Sequence, residues 1–337
     1  MEEKIYYFIL SGDHEELSLA ELKALLEIIK PSAEIMEYYP MICLVKNIDD
    51  IDAEKVIRRA GYIKETGKLL GIDNPYHPEL NYLDKVSELN TKYVKVSIMK
   101  STIENEIADK YRNLLVSKTN LKDYYMKSKH IHLVFSSGRV FVGYPLFFLE
   151  TRNFYHRRPS TRPFFRSIAL PVRLSRLLIN LARVKEGEVL LDPFAGTGSI
   201  LIEALMMKIR PIGIEIDWKL IHGARENLLH YGFDNWVLIL GDSTNIKLSG
   251  IDGIATDPPY GRAASTHGLG AEYIYSKFIE NSAESLKNKR YLVFMAPYDL
   301  SKYIDEVLCS NGFIIRGKHY MFVHGGLTRV IYEALLV

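Results

Sequence analysis

Strand-like and helix-like segments alternate from residue 172 to residue 337. The apolar runs that indicate strands are 188–192, 211–216, 236–240, 251–257 and 291–297. Such runs, separated by amphipathic stretches, are typical of parallel strands joined by crossover helices. Two further runs, about 313–323 and 327–336, flank Gly325-Gly326 and predict a hairpin. We therefore predict an α/β domain over 172–337, with a doubly wound, mostly parallel sheet and an antiparallel edge.

The first 72 residues predict a smaller domain. Residues 5–10 have the composition of a strand, and Ser18 and Glu21 have the spacing of a capping box that starts a helix. Pro31 ends this helix, and two strands, a short helix and another apolar run follow. The order β-α-β-β-α-β is that of a ferredoxin-like unit, which we place at 1–72.

A second small α+β unit is predicted over 73–150. Residues 93–99 alternate as in a half-buried strand, and 104–117 carry apolar side chains at helical spacing. Ser136-Ser137-Gly138 separates two apolar runs and predicts a hairpin.

Residues 151–171 form a connector that is rich in arginine and aromatic residues. Pro159 and Pro163 argue against a regular helix or a central strand, so we expect an extended segment. Five arginines are candidate RNA phosphate ligands: Arg152, Arg157, Arg158, Arg162 and Arg166. Equally, these arginines and the aromatic residues between them can brace neighbouring domains. Arg173 and Arg176, on the next helix, are interpreted as ordinary surface charge.

The composition excludes several classes of protein. The chain has 337 residues, of which 47% are hydrophobic, but no apolar run approaches the roughly 18 residues of a membrane span. The N-terminus lacks the basic start of a signal peptide, which favours a cytoplasmic protein. Cys43 and Cys309 are too few and too far apart for a disulfide framework or a metal cluster, so we predict no metal.

Residues 192–198, DPFAGTG, predict a ligand-binding turn after the first strand of the C-terminal domain. Gly196 and Gly198 can adopt positive φ and leave room for a ligand beside the backbone. A dinucleotide site would carry a third glycine in the pattern GxGxxG, which is missing here. The pattern disfavours NAD.

Acidic residues follow four strands in succession. They are Asp192, Glu215, Asp242 and Asp257. Because ligands bind beyond the carboxyl ends of parallel strands, we expect these acids at one site. Glu215 is placed to accept hydrogen bonds from ribose hydroxyls, and Asp242, beside Ser243, is placed to accept one from an adenine amino group. The carboxylate of Asp192 suits a cationic cofactor. Each acid can instead cap the next helix, and Phe194 either flanks the ligand or belongs to the core.

Asp257-Pro258-Pro259-Tyr260 offers the groups that hold an exocyclic amino group of a nucleobase. The carboxylate of Asp257 and the carbonyl of Pro258 can accept its two protons, and Tyr260 offers a face for stacking. A strand end followed by a plain turn is the alternative. The next residues, 261–270, are small and glycine-rich, as in a loop that closes over a target base.

The motifs DPFAGTGS, GIEID, GDS and DPPYGR, in this order, resemble those of Rossmann-like methyltransferases that modify base amino groups. With RRPSTRPFFRSIALP ahead of them, the whole chain resembles the archaeal tRNA (guanine-10-N2)-dimethyltransferases. The resemblance implies S-adenosylmethionine as cofactor and tRNA as partner, with no DNA or membrane partner. It implies a class I methyltransferase domain at 172–337, a linker at 151–171 and a THUMP RNA-binding domain at 73–150, behind the ferredoxin-like domain.

The resemblance also implies roles for individual residues. The catalytic loop is Asp257, Pro258, Pro259 and Tyr260; the cofactor site is Asp192, Phe194, Gly196, Gly198, Glu215, Asp242 and Ser243. Two alternatives stay open: methylation at another site in tRNA, ribosomal RNA or DNA, and a non-catalytic RNA-binding protein with the same fold. The sequence does not imply a helper subunit, and it leaves open whether one methyl group or two are added.

Overall fold

The computed structural model describes residues 4–100, 102–123, 129–167, 169–259, 270–324 and 327–337. The chain divides into two compact units. The N-terminal unit comprises 1–58 and 62–149, and the C-terminal unit comprises 59–61 and 150–337. No helix in the described ranges is both long and apolar enough to cross a membrane.

The N-terminal unit is built on one mixed sheet. Its elements in chain order are β1 (Tyr6–Leu10), α1 (Glu15–Ile29), β2 (Glu34–Tyr39), β3 (Ile42–Lys46), α2 (Asp50–Arg59), β4 (Ile63–Asp73), α3 (Leu83–Ser87), β5 (Tyr93–Ile98), α4 (Asn105–Lys118), β6 (Lys122–Asp123), β7 (His130–Ser136) and β8 (Arg139–Phe148). The strand order is β2-β3-β1-β4-β8-β7-β5-β6. The first six elements have the predicted order β-α-β-β-α-β.

Strand β4 links the two halves of this sheet, because it pairs antiparallel with both β1 and β8. Alternate residues of β7 enter different cores, as the period of a strand requires. Leu133 packs in the core that contains Tyr111 of α4, and Val134 packs in the core that contains Tyr7 of β1. The sheet is continuous across residues 72 and 73, and the division into ferredoxin-like and THUMP domains stays a prediction.

The predicted start of α1 is wrong. The helix begins at Glu15, so Ser18 lies inside it and not at a cap. The Ser18 hydroxyl donates to the carbonyl of His14 at 2.8 Å. A serine inside a helix can bond back in this way to the carbonyl four residues earlier, and it then does not cap the end of the helix. Glu21 accepts from the backbone N–H of Tyr62 at 2.7 Å, and so it connects the helix to the chain before β4.

The C-terminal unit alternates strands and helices. Its elements are α5 (Thr151–His156), α6 (Val172–Leu181), β9 (Val189–Asp192), α7 (Ser199–Met206), β10 (Arg210–Glu215), α8 (Trp218–His230), β11 (Val237–Leu240), β12 (Gly253–Thr256), α9 (Ala271–Ser285), β13 (Tyr291–Pro297), α10 (Ser301–Ser310), β14 (Phe313–His324) and β15 (Leu327–Leu336), with 3-10 turns at Pro159–Thr161 and Tyr298–Leu300.

The strand order of this unit is β11-β10-β9-β12-β13-β15-β14. Strands β9 to β13 run parallel, whereas β15 and β14 are antiparallel. The chain steps outward from β9 through β10 to β11, and then returns to place β12 on the other side of β9. The doubly wound sheet and its antiparallel edge are confirmed, and β9 and β12 mark the switch point where such folds bind ligands.

The connector differs from the predicted extended segment. Residues Thr151–His156 form α5, and Pro159 starts a 3-10 turn. Proline is tolerated at the first position of a helical turn, because that N–H has no helical partner. The connector also belongs to the C-terminal unit.

Candidate active site

The four predicted acids lie at the carboxyl ends of four adjacent parallel strands. Asp192 and Glu215 are the last residues of β9 and β10, Asp257 directly follows β12, and Asp242 follows β11. Since these strands are neighbours in the order β11-β10-β9-β12, the acids share one edge of the sheet. We call this set of four residues the acidic edge.

The glycine loop, residues 195–199, lies between β9 and α7. Gly196 and Gly198 have φ values of 53° and 81°, in the left-handed region that favours glycine. The N–H of Gly196 donates to Oε2 of Glu215 at 2.8 Å, and the N–H of Gly198 donates to the carbonyl of Ala195 at 2.8 Å. The end of β10 therefore holds the loop that follows β9.

Asp192 is 2% exposed. Its Oδ1 accepts from the Thr256 hydroxyl at 2.6 Å and from the backbone N–H of Phe194 at 3.2 Å. The pKa of Asp192 is raised from 3.8 to about 7: burial is the largest cause, the two donors oppose the rise, and the charges of Glu215 and Asp257 add to it. Glu215 and Asp257 are both acidic, so their charges disfavour the ionised form of Asp192.

Glu215 is held by backbone donors. Besides the bond from Gly196, its Oε1 accepts from the N–H of Asp217 at 3.0 Å. Burial raises the pKa of Glu215, although these backbone donors oppose the rise. A carboxylate has about four acceptor positions, so Glu215 can accept from these backbone donors and still accept a hydroxyl group of a ligand.

Asp242 and Ser243 belong to a tight turn after β11. Oδ1 of Asp242 accepts from the backbone N–H and the hydroxyl of Thr244, at 2.9 and 2.8 Å, and its Oδ2 accepts from the Asn245 amide at 3.0 Å. The carbonyl of Ser243 accepts from Nδ2 of Asn281 at 2.9 Å. Asp242 therefore orders its own turn, and its contact with an adenine amino group stays a prediction.

Of the two interpretations of Phe194, the structure favours the core. Its half-buried ring packs edge-to-face on Phe278 of α9, with 5.5 Å between the ring centroids. This contact fixes the residue that carries one of the N–H donors to Asp192.

Asp257 leaves the sheet with its side chain 16% exposed. Nη1 of Arg329, on β15, lies 3.8 Å from its Oδ2. Pro258 is buried and Pro259 is half-buried. Tyr260 and the predicted closing loop, residues 261–269, lie outside the described residues. Arg329 and Thr256 are polar neighbours that the sequence patterns did not single out.

The prediction that Arg157 and Arg162 bind RNA is corrected by their burial. Arg157 makes two hydrogen bonds to the Glu203 carboxylate, at 2.9 and 3.0 Å. Arg162, which is 5% exposed, donates to the Ser199 hydroxyl at 2.6 Å and to the carbonyl of Arg157 at 3.2 Å. Burial lowers the pKa of Arg162 below its ordinary value. These guanidinium groups brace the interior of the unit and are not placed to contact phosphates.

The other three arginines of the connector remain candidates for RNA contact, because Arg152, Arg158 and Arg166 are exposed. The guanidinium of Arg158 lies 4.0 Å from the centroid of the Tyr155 ring, and that ring is itself 57% exposed. A stacked, exposed pair of this kind can contact both phosphates and bases.

The interpretation of Arg176 as surface charge is wrong. Arg176 is 5% exposed and donates to Oε2 of Glu203 at 3.1 Å. Glu203, on α7, is fully buried and so lies between two arginines. A buried charge needs such partners, but the sequence shows Glu203 only as one polar position in a helix.

Two family models match the chain. One, described as an RMKL-like methyltransferase domain, matches residues 159–331, which include the whole acidic edge. The other, described as a DNA methylase, matches residues 45–226, a range that ends before Asp242 and Asp257.

Curated relatives align along nearly the full chain. The tRNA (guanine(10)-N2)-dimethyltransferase of Methanothermobacter thermautotrophicus is 32% identical over 339 residues, covering 96% of this chain and 97% of the relative. The enzyme of the same name from Pyrococcus abyssi is 29% identical, covering 97% of this chain and 98% of the relative.

Among solved structures, TrmN from Thermus thermophilus superposes with a TM-score of 0.57 at 16% identity, covering 99% of this chain and all of TrmN. At this identity the likeness shows the fold alone, a sheet and helix arrangement shared along the whole chain.

Proposed function

This chain belongs to the tRNA (guanine(10)-N2)-dimethyltransferase family, and from that premise we propose that it methylates the N2 amino group of guanine 10 in tRNA. The methyl donor is S-adenosylmethionine, and the products are N2-methyl- and N2,N2-dimethylguanosine. The observation that carries the proposal is the acidic edge: Asp192 ends β9, and Asp257 follows β12, the strand that pairs with β9. The proposed acceptor of the amino group and the proposed site for a cationic cofactor are therefore neighbours.

The residues at the acidic edge fit a cationic nucleoside cofactor. Among the residues that the structure describes, a Cβ atom added at Gly196 would meet the carbonyl oxygen of Phe194 alone, at 4.0 Å, so these residues leave the loop backbone open on that side. A cation at Asp192 would offset the repulsion from Glu215 and Asp257 that disfavours its ionised form. S-adenosylmethionine, when bound, supplies an electrophilic methyl group on a positively charged sulfur.

We assign the cofactor residues by the donors and acceptors they present. Asp192 would hold the cofactor's ammonium group, Glu215 its ribose hydroxyls, and Asp242 with Ser243 its adenine. The backbone of Gly196 and Gly198 would border it. The contribution of Phe194 is to hold its own backbone N–H on Asp192, since its ring packs in the core.

We assign the guanine amino group to Asp257 and Pro258. The carboxylate and the carbonyl accept its two N–H groups, which favours a pyramidal nitrogen and turns its lone pair toward the methyl group. Arg329, 3.8 Å from Asp257, favours the ionised carboxylate, a form that only accepts hydrogen bonds. After transfer, a proton leaves the nitrogen for Asp257 or water. Orientation and a preorganised electrostatic environment therefore supply most of the rate.

On the RNA side, we assign tRNA binding to a THUMP domain at 73–150 and to the exposed arginines Arg152, Arg158 and Arg166. A guanine amino group inside a paired stem faces its partner base. The target nucleotide must therefore unpair and swing out to reach Asp257, as it does in other base-modifying enzymes.

A second candidate, methylation of DNA amino groups, is favoured by one observation, the match of a DNA methylase model to residues 45–226. The relatives that align along the whole chain are instead named for tRNA guanine 10. For this reason tRNA is the substrate that we propose.

Nucleoside analysis tests the proposal. The protein is incubated with S-adenosylmethionine and one nucleic acid at a time: an unmodified tRNA transcript, the same transcript with adenine at position 10, ribosomal RNA, or duplex DNA. We expect N2-methyl- and N2,N2-dimethylguanosine from the first transcript alone. Methylated bases from DNA would establish the second candidate, and no product from any substrate would indicate a non-catalytic protein.

A further inference from the structure

Besides Glu215, two side chains outside the glycine loop form hydrogen bonds to it directly. Arg162, in the connector, donates from Nη1 to the hydroxyl of Ser199, the last residue of the loop and the first of α7, at 2.6 Å. Asn227, on α8, donates from Nδ2 to the carbonyl of Thr197 at 3.0 Å. The loop is therefore fixed on both sides of Gly198.

Asn227 joins the loop to the connector. Its amide accepts from the N–H of Phe164 and donates to the carbonyl of the same residue, both at 2.9 Å. The Phe164 ring packs so closely on α8 that a Cβ atom at Gly223 would lie 2.1 Å from it. One fully buried asparagine thus bridges the connector and the glycine loop.

Arg162 is itself fixed by its neighbours. Its Nε and Nη2 donate to the carbonyl of Arg157, at 3.2 and 3.1 Å, and Arg157 pairs with Glu203. Ser199 and Glu203 lie four residues apart, on one face of α7. The two arginines therefore hold α7 at two points that are one turn apart.

We propose that Arg162 and Asn227 are positioning residues that set the conformation of the glycine loop and thereby the affinity for the methyl donor. The inference rests on the proposed function, which places S-adenosylmethionine at this loop. It replaces the phosphate contact predicted for Arg162 with a role inside the enzyme.

The physical reason is preorganisation. Gly196 and Gly198 have positive φ. A glycine adopts positive and negative φ about equally readily, so these residues do not by themselves fix the loop in one conformation. A ligand binds only the loop conformation that fits it. The apparent Kd therefore equals the intrinsic Kd divided by the fraction of protein in that conformation. Contacts that keep the loop in one conformation lower the apparent Kd for the donor.

The test is calorimetric titration of S-adenosylmethionine into the full-length protein and its variants. Arg162→Ala and Asn227→Ala should each raise the Kd about five- to tenfold, the effect of a lost buried hydrogen bond. Ser199→Ala removes the hydroxyl that Arg162 holds and is the milder change. It should reproduce much of the Arg162→Ala effect, and the double variant should show less than the product of the two single effects, because both remove one contact.

The stoichiometry of the titration separates positioning from folding. A residue that only stabilises the fold lowers the fraction of protein that binds but leaves the Kd of that fraction unchanged, whereas a positioning residue raises the Kd. Arg162→Lys keeps a donor and should recover part of the affinity. Arg225→Ala, an exposed arginine on the same helix as Asn227, is the matched control and should leave the Kd unchanged.

The outcomes divide cleanly. Wild-type protein that fails to bind S-adenosylmethionine would overturn the proposed function together with this inference. If the wild type binds but Ser199→Ala and Asn227→Ala keep its Kd, the inference alone is wrong. If the effects of Arg162→Ala and Ser199→Ala multiply in full, Arg162 does not act through Ser199.

Discussion

Each of the two units buries a carboxylate in its sheet, and the pKa values of these two carboxylates are shifted in opposite directions. Glu65, on β4, is 5% exposed and accepts from the Tyr7 hydroxyl at 2.6 Å and from Nδ1 of His132 at 2.7 Å. Burial alone would raise the pKa of Glu65, but these donors and the charge of His132 outweigh it and lower the pKa. Asp192, equally buried, has acidic neighbours, and its pKa rises to about 7.

The difference separates a carboxylate that the fold stabilises in its ionised form from one that we propose to bind a cationic ligand. Glu65 is satisfied by its own unit, so its ionised form contributes to stability. Asp192 accepts hydrogen bonds from one hydroxyl and one backbone N–H. Its ionised form is therefore unfavourable unless a cation binds beside it. Shifted pKa values cluster at functional sites, and this association supports the proposed role of Asp192.

Asp257→Ala gives the largest expected effect. If the acidic edge serves chemistry and not folding, this variant should lower kcat for tRNA methylation about a thousandfold, as expected for the loss of a group that orients and stabilises the transition state. Its Kd for S-adenosylmethionine should stay near that of the wild type. Steady-state kinetics and calorimetry measure the two quantities, and turnover close to the wild-type rate would contradict the assignment.

Asp192→Asn should stabilise the protein in the absence of ligand. The folded protein keeps a proton on Asp192 up to about pH 7, whereas the unfolded chain releases it near pH 3.8, so rising pH destabilises the fold across this window. The shift corresponds to as much as about 4 kcal/mol at pH 8. Oδ1 of asparagine can accept both existing hydrogen bonds. Urea unfolding at pH 8 should therefore show that the free energy of unfolding of the variant exceeds that of the wild type by most of this amount.

The same variant should bind S-adenosylmethionine less tightly, since the charge that would face the ammonium group is gone. A gain in stability with a loss of affinity is the trade-off expected of a strained site. Lower stability of Asp192→Asn at pH 8, in the absence of ligand, would break the comparison with Glu65.

Glu65→Gln is the matched isosteric change in the N-terminal unit, and its effect should be smaller and opposite in sign. Glutamine keeps an acceptor for Tyr7 and His132 but loses the charge, so urea unfolding at pH 8 should show a loss of about 2 kcal/mol. Folding lowers the pKa of Glu65, so the stability that its charge contributes is fully present above the pKa of the unfolded chain. This stability is lost as pH falls through the pKa of the folded protein. Equal stability of variant and wild type would mean that this carboxylate is not a structural anchor.

The sequence predicted those parts of the molecule that depend on local patterns. The strand and helix alternation, the glycine loop and the acids at strand ends all follow from periodicity and from residues close in the chain. The start of α1 was misplaced, because the hydroxyl of Ser18 bonds back to His14 within the helix instead of capping it.

The burial of the connector could not be read from the sequence. Arg157 and Arg162 look like surface charge until α7 brings Glu203 and Ser199 beside them, and these partners lie far downstream in the chain. Likewise, only the pairing of β13 with β15, which sets Arg329 opposite Pro297, brings that arginine to Asp257. Tertiary contacts between distant segments decide both cases, and one sequence carries no signal for them.

The position of β12 in the sheet has a consequence for how the enzyme matures. Strands β9, β10 and β11 precede β12 in the chain, and neither Asp257 nor the Thr256 hydroxyl reaches the acidic edge until the chain crosses over and β12 inserts beside β9. If Asp192 holds the methyl donor as proposed, full affinity for the donor requires that β12 has inserted, because Thr256 donates to Asp192 from the end of that strand. A methyl donor that binds the finished sheet and not the unfolded chain would then favour the folded protein by mass action.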